Sequence, residues 1–258
     1  LGSTSNTNVI NTNSQNHVSW NWVAGTSFTN DASATGIGSI DSTGSVNTDA
    51  GFSIVSYSGN STAGATIAHG LGATPKMMIV RKRNSAENWL VYHASTGNTG
   101  ATLLNGTNAF FQDDMWNSTS PTSSVFTVHG GAGANASGGT YIAYCFTDVK
   151  GYSKFSSYIG NGNADGAFVY TGFKSAFVMI KKTSGTGNWC LFDNKRGVNG
   201  AMIQLNPDVN NADNTSNYID FLSNGFKCRN TASDKNASGG SYIYMAFAEN
   251  PFVTSTGV

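Results

Sequence analysis

The chain contains the same set of sequence blocks twice, in the same order and at a nearly constant offset. The matched blocks are residues 56–60 and 157–161, 76–82 and 176–182, 88–92 and 188–192, and 135–142 and 236–243. The last pair reads Asn-Ala-Ser-Gly-Gly-Thr-Tyr-Ile in the first copy and Asn-Ala-Ser-Gly-Gly-Ser-Tyr-Ile in the second. Self-similarity of this kind predicts a duplicated structural unit.

Each repeated block has the length and the residue types of a β-strand, and the polar loops 83–88 and 183–188 predict hairpin turns. In the run that begins at Tyr141, side chains alternate between two faces. One face carries Ile142, Tyr144 and Phe146, matched by Ile243, Met245 and Phe247 and by Val18, Trp20 and Trp22 near the front of the chain. We expect this face to form the core. The opposite face, with Tyr141, Ala143 and Cys145, is expected to be partly buried.

The repeat divides the chain into three expected parts. Residues 51–154 and 155–258 are expected to form one antiparallel β-sandwich module each, of jelly-roll or concanavalin-like type. Residues 1–50 are expected to be an N-terminal segment carrying the last strand of an upstream partial module, because residues 17–22 match the last strand of each copy. We therefore expect further residues upstream of Leu1. The predicted fold class is all-β.

Composition limits the function classes. Charged residues make up 11% of the chain, against about 25% in an average soluble domain. Gly, Ser, Thr and Asn, which are poor helix formers, take their place. Lys plus Arg and Asp plus Glu each number 14, so the net charge is zero. This balance gives no basic excess for binding nucleic acid. The sequence also lacks an apolar run of 18 residues, so no membrane insertion is expected.

The sequence predicts a protein that is not an enzyme and has no catalytic residues, no cofactor and no metal site. There are four histidines, and none is repeated at the matched position; His93, for example, matches Asp193. The three cysteines, Cys145, Cys190 and Cys228, are an odd number in β-patterned runs, and we expect them to be buried thiols. Hydrolysis of polysaccharide would need two carboxylates in one cleft. The adjacent pair Asp113 and Asp114 would point to opposite faces of a strand.

Two stretches are candidates for binding a ligand. Asp113, Asp114 and Trp116 could offer a sugar-stacking ring beside a carboxylate; alternatively, they form a solvated loop with Trp116 tucked beneath it. The loop with Asp193, Lys195 and Arg196 could bind an acidic sugar, or it is an exposed ion-pair loop. Trp89 and Trp189, at matched strand positions, are expected to pack in the core.

Several phrases of the sequence resemble a known family. They are Gly-Gly-Thr-Tyr-Ile-Ala-Tyr-Cys-Phe (138–146), Gly-Tyr-Ser-Lys-Phe (151–155), Phe-Val-Tyr-Thr-Gly-Phe (168–173), Phe-Val-Met-Ile-Lys (177–181) and Tyr-Met-Ala-Phe-Ala-Glu-Asn-Pro-Phe (244–252). The chain is similar over residues 50–252 to an uncharacterised repeat domain of tail-fibre-like and other structural proteins of marine tailed bacteriophages. Some of these domains are described as lectin-like or SPRY-like concanavalin sandwiches.

The resemblance implies a structural protein on the virion surface, as a tail fibre or appendage that displays receptor- or glycan-binding modules. The expected partners are further copies of the chain, trimeric by the resemblance, other virion proteins, and a host surface polysaccharide. The alternative is a purely structural protein, in a capsid decoration or in the wall of a fibre or filament, with no ligand. The resemblance implies no catalytic residues.

Overall fold

The structure, a computed structural model, describes residues 17–197 and 202–251. With 42% strand and 5% helix, the protein is all-β, as predicted. The strands up to residue 146 are β1 Thr26–Asn30, β2 Ser42–Asn47, β3 Phe52–Ser58, β4 Ala65–Ala68, β5 Met77–Lys82, β6 Leu90–His93, β7 Gly97–Leu103, β8 Phe111–Gln112, β9 Val125–Val128 and β10 Thr140–Phe146. The later strands are β11 Ser153–Ile159, β12 Phe168–Tyr170, β13 Ser175–Lys182, β14 Trp189–Asp193, β15 Gln204–Leu205, β16 Ile219–Leu222, β17 Gly225–Cys228 and β18 Ser241–Ala248.

Three short helices complete the elements of the described residues, α1 Ala32–Thr35, α2 Ala132–Asn135 and α3 Ser233–Asn236. In the part of the chain that the structure describes, no helix has the length and apolar character needed to cross a membrane.

Within residues 17–197 and 202–251 the strands form four sheets, and the strand order of the large sheet is the same in the two copies of the repeat. In the first copy the order β3-β10-β5-β6-β7 lies within an eight-stranded sheet, which β1 and β2 extend on one side and β8 on the other. In the second copy the order is β11-β18-β13-β14-β15. A smaller sheet accompanies each, β4-β9 in the first copy and β12-β17-β16 in the second. The predicted hairpins β5–β6 and β13–β14 are confirmed as antiparallel pairs.

Buried tyrosines explain why the last repeated block is so similar in the two copies. The hydroxyl of Tyr141 donates to the Ala132 carbonyl at 2.7 Å and accepts from the Ala136 N–H at 2.8 Å. Tyr242 makes the same two bonds, at 2.7 and 2.8 Å, to the matched residues of the second copy. Each ring therefore fixes a short helix, α2 or α3, against the strand that follows it. These bonds satisfy helix-end backbone groups in the interior.

A buried asparagine has a similar role in each copy. The side chain of Asn135 accepts from the Asn60 N–H at 2.9 Å and donates to the Asn60 side chain at 3.2 Å. Asn236 repeats both contacts with Asn161, at 3.0 and 3.1 Å. Both buried amides are thus hydrogen-bonded, as burial of polar groups requires. The Gly-Gly pair next to them turns the chain: Gly138 and its match Gly239 have φ of 68° and 69°, a region that favours glycine.

Each copy has a hydrophobic cluster between its two sheets. In the first copy the cluster includes Val55, Phe126 and Tyr141. In the second copy it includes Val169, Phe226 and Tyr242. All three cysteines are free and buried, and they lie in these clusters. This confirms the prediction of buried thiols.

A third hydrophobic cluster lies between the large sheets of the two copies, and we call it the shared cluster. It consists of Phe52, Met77, Ile79, Val91, Phe146, Phe155, Phe177, Met179, Trp189, Leu191, Ile243, Met245 and Phe247. Of the face that the sequence predicted to be the core, Phe146 of β10 and Ile243, Met245 and Phe247 of β18 belong to it. Tyr144 packs against it half-buried, and Ile142 is half-buried outside it, so for β10 the prediction holds only at Phe146. The opposite face, with Tyr141, Ala143 and Cys145, is fully buried inside the first copy. The prediction that this opposite face is only partly buried is therefore wrong.

Hydrogen bonds also join the two copies around the shared cluster. The Trp189 indole N–H donates to the Leu103 carbonyl at 2.7 Å, and the Lys181 ammonium donates to the Gly106 carbonyl at 3.1 Å. The Phe110 N–H donates to the Thr183 carbonyl at 3.0 Å. Trp189 is buried and Trp89 is half-buried against the same cluster. The predicted core packing is confirmed for Trp189, whereas Trp89 packs against the cluster from its edge.

The front of the chain differs from its prediction. Residues 17–25 form no strand, so the expected last strand of an upstream module is not formed at residues 17–22. Trp20 and Trp22 instead lie on the shared cluster, with the Trp22 ring 5.7 Å from Phe177 and 5.4 Å from Phe247. Trp20 and Trp22 thus pack on the same cluster as Tyr144 and Phe146, the residues they match in the sequence. Farther on, β2 pairs with β3.

Candidate ligand-binding face

The first predicted site does not assemble as a sugar platform. Trp116 is 0% exposed, its indole N–H donates to the Gly100 carbonyl at 2.9 Å, and its ring packs edge-on to Tyr92 at 5.8 Å. A sugar cannot stack on a ring that has no accessible face, so the expectation of a binding role for Trp116 is corrected. Asp113 and Asp114 are exposed in the loop above it, and the Asp114 carboxylate accepts from the Ser118 N–H.

The second predicted site consists of ion pairs. Asp193 is buried and accepts from the N–H groups of Lys195 and Arg196 at 3.0 and 3.1 Å. The Arg196 guanidinium pairs with Asp193 at 2.6 Å and with Asp213 at 2.9 Å, and it lies 5.5 Å from the Trp20 ring centre. Lys195 is exposed. Arg196 therefore fixes the loop and the front of the chain, and its charge is already paired.

The buried histidines hold loops in place. The Nδ1 atom of His93 accepts from the Ser95 N–H at 3.2 Å, so the proton sits on Nε2, which faces the Tyr244 carbonyl at 3.3 Å. His69 has the same arrangement with Leu71 and Thr122, at 3.2 Å on each side. Burial lowers the pKa of both imidazoles to about 4. Both rings are thus neutral around pH 7.

These histidines predict a stability that depends on pH. The unfolded chain takes up their protons near pH 6.5, whereas the folded protein takes them up only near pH 4. We therefore expect the free energy of unfolding to be highest above pH 6.5 and to fall as the pH drops toward 4. Chemical denaturation across this range measures the slope. His93→Gln should flatten it and the exposed His129→Gln should not; an unchanged slope in His93→Gln would contradict the assignment.

Buried nucleophiles and amines are held in a polar cluster of the second copy. Lys235 is 1% exposed, and its ammonium donates to Asp234 at 2.6 Å and to Gln204 at 2.7 Å. The sulfur of Cys190 lies 3.8 Å from this ammonium, and burial raises the pKa of that thiol.

The other two thiols are buried as well. Burial raises the pKa of Cys145 to about 12 and that of Cys228 to about 11. None of these thiols is a thiolate at neutral pH.

The outer face of the sheet β12-β17-β16 has the features of a binding surface, and we call it the aromatic face. Phe168 and Tyr170 are 47% and 65% exposed. They are two residues apart on β12, so both point away from the core, into which Val169 points. Gly225 lies opposite Tyr170 in the pairing. A Cβ atom at Gly225 would lie 3.1 Å from the Phe168 ring, so the glycine leaves room for that ring against β17.

Paired charges border these rings. Lys227 lies opposite Phe168 on one side and opposite Asp220 on the other. The Lys227 ammonium contacts Asp165 at 2.7 Å, and this hydrogen bond lowers the pKa of the Asp165 carboxyl. Arg229 pairs with Asp220 and approaches Asp165 at 3.9 Å. The aromatic face therefore combines two exposed rings with a row of oriented donors and acceptors.

The first copy has no such surface. Matching β4 to β12 through their pairing with β9 and β17 places Thr66 and Ala68 where the second copy has Phe168 and Tyr170. The aromatic face was not predicted from the sequence, although Phe-Val-Tyr is an alternating triplet. Alternation alone does not say which side of a short strand faces water. The comparison of Thr66 and Ala68 with their aromatic matches is the signal that could have found it.

The chemistry of the aromatic face suits binding. Rings offer flat apolar surfaces, and the flanking carboxylates and ammonium groups are hydrogen-bonding partners for hydroxyl groups. Among the described residues, no group of three or more His, Cys, Asp or Glu side chains is placed to hold a metal ion.

Comparison with known proteins places the chain in a family. A family model described as a domain of unknown function, DUF7483, matches residues 1–251, and the chain belongs to that family. The match spans both copies of the repeat. Neither the curated proteins nor the solved structures contain a match.

Proposed function

We propose that the protein is a non-enzymatic structural component of a bacteriophage virion, exposed on its surface, and that its aromatic face binds a glycan of the host. The virion setting is supported by the motifs at residues 138–146, 151–155 and 244–252. The neutral, hydroxyl-rich composition also supports it. The glycan role is carried by one observation, the exposure of the two aromatic rings of Phe168 and Tyr170 on the same face of β12.

We also propose that each copy is one antiparallel β-sandwich of jelly-roll or concanavalin-like type, divided as 51–154 and 155–258. The support is the matching order of strands in the two large sheets and the hydrophobic cluster between the sheets of each copy.

The glycan proposal is tested with two single variants. Aromatic contacts of this kind contribute about 0.5–1.5 kcal/mol each, so Phe168→Ala and Tyr170→Ala should each weaken binding up to about tenfold. Binding to an array of bacterial surface polysaccharides, including those of marine bacteria, is the measurement. Both side chains are exposed, so the free energy of unfolding should change by less than about 0.5 kcal/mol.

Thr66→Ala is the matched control, because it changes the equivalent outer position of the first copy and should leave binding unchanged. Absence of binding across the array, or equal binding by the wild type and the Phe168→Ala and Tyr170→Ala variants, would contradict the proposal.

The second candidate function is purely structural, as part of a capsid decoration or of a fibre or filament wall. The observation that favours it is the sheet edge at β11, which no other described strand covers.

A further inference from the structure

The front of the chain covers both edge strands of the first copy. Strand β2 pairs with β3 at six positions, from Ser42 opposite Tyr57 to Asn47 opposite Phe52. Just before β2, the N–H groups of Ser39 and Ile40 donate to the Thr66 carbonyl of β4, at 2.8 and 3.1 Å. Residues 39–47 thus form backbone hydrogen bonds with the outer strand of each sheet of that copy, β3 and β4.

The second copy lacks this cover. Strands β11 and β12 match β3 and β4, and both end their sheets with no further strand outside them among residues 17–197 and 202–251. The cause lies in the sequence: β11 follows β10 after residues 147–152 alone, which are too few to form a covering strand. Exposed edges of this kind are templates for pairing with another chain.

The first half of the β11 edge is closed by its own turn. The Ser153 N–H donates to the Val149 carbonyl at 2.9 Å, and the Phe155 N–H donates to the Asp148 carboxylate at 2.7 Å. In an antiparallel ladder every second residue turns its backbone groups to the same side. Ser157 and Ile159 therefore present their N–H and C=O groups outward, in line with Phe155, and both residues are exposed.

The open half is apolar where the covered edge is polar. Ile159 lies opposite Ser241 and is 60% exposed. Its match in the first copy is Ser58, which lies opposite Thr140. Lys154, the charged residue of the strand, lies within 3.4 Å of Asp148. The edge thus carries an exposed isoleucine and no free charge beyond residue 154.

We propose that β11 pairs antiparallel with β11 of a second copy of this chain, around a two-fold axis at Ser157. In this register Ser157 faces its own counterpart, and the exposed Ile159 faces the partner's Phe155. The Phe155 N–H stays bonded to Asp148, so at this position only the Phe155 carbonyl joins the ladder, by accepting from the Ile159 N–H. The same surface serves both partners. The zero net charge of the chain adds no long-range repulsion. The contact deepens the structural candidate function and does not depend on glycan binding. It joins copies in pairs, whereas the resemblance implied trimers.

Sedimentation of the complete chain over a range of concentrations tests the pairing. We expect a monomer–dimer equilibrium in which the dimer is the largest species at the highest concentration. Ser157→Lys places two ammonium groups opposite each other at the axis, where like charges destabilise pairing, and should weaken dimerisation by about tenfold. Ser157→Glu should act in the same way. An equimolar mixture of the two variants should form dimers again, which a folding defect could not explain.

Ser27→Lys, on β1 at the end of the large sheet of the first copy, is the matched control and should leave the dimer unchanged. A wild-type chain that stays monomeric, a trimer, or a dimer that Ser157→Lys does not weaken would overturn the proposal. Growth beyond the dimer that Ser27→Lys abolishes would also overturn it, because it indicates head-to-tail pairing of β1 with β11. The glycan array on the Ser157→Lys variant keeps the two proposals apart, since a monomer with an intact aromatic face should still bind.

Discussion

Trp116→Ala should lower the free energy of unfolding by about 3–5 kcal/mol, the range for removing a large aromatic side chain from a core. The variant loses the ring contact with Tyr92 and leaves the buried Gly100 carbonyl without its indole donor. Chemical denaturation measures the loss.

Trp116→Phe should lose less, because it keeps a ring in the cavity and removes chiefly the hydrogen bond, about 1–3 kcal/mol. Trp89→Ala, at a half-buried position, should also cost less than Trp116→Ala. If Trp116→Ala kept wild-type stability and lost glycan binding, the tryptophan would have to be accessible to ligand, contrary to its burial.

Lys235→Met should destabilise the protein by about 3 kcal/mol, because methionine keeps the length of the side chain and removes its charge. Removing one partner of a buried ion pair costs about 3–5 kcal/mol. The lower end applies here because Asp234 is 20% exposed. Gln204 would also lose its donor. Denaturation in urea at neutral pH gives the value.

The first copy supplies the matched control for this cluster. Its residues at the positions of Asp234 and Lys235 are Gly133 and Ala134. The double variant Asp234→Gly with Lys235→Ala should therefore be less destabilised than the sum of its two single variants, since it leaves no unpaired charge. Lys195→Met, at an exposed position, should stay within about 0.5 kcal/mol of the wild type. Additive losses would show that the two charges do not act as a pair.

The sequence predicted the strands and the duplication because both are written in local patterns. The hairpins at residues 83–88 and 183–188 and the turns at Gly138 and Gly239 follow from residue type alone. The matched tyrosines and asparagines repeat because each makes the same hydrogen bonds in both copies.

The faces of β10 could not be assigned in the same way. An alternating strand shows that two faces differ, but both faces of β10 are apolar, since one meets its own small sheet and the other meets the second copy. The residue pattern of one strand does not show whether an apolar face packs inside its own copy or against the other copy. Trp20 and Trp22 matched the strand pattern for the same reason.

The candidate site could not be predicted because the exposure of each aromatic ring depends on neighbours that are distant in sequence. Trp116 stands beside two aspartates, which suggested a solvated binding loop, whereas burial of its ring is decided by Tyr92 and Gly100. Phe168 and Tyr170 alternate with Val169, and the sequence alone does not say which side of this short strand faces water. Their exposure follows from the position of β12 at the end of a sheet, with Val169 turned into the core between them.

The shared cluster has a consequence for how the chain can be divided or extended. A fragment cut at residue 150 would turn Phe177, Met179, Leu191 and Phe247 toward water, an apolar area of the kind that drives aggregation. We therefore expect that neither half is a soluble domain on its own. We expect that recombination can add or remove repeats only two at a time, so that every copy keeps a second copy against its large sheet. A single copy produced alone should be insoluble.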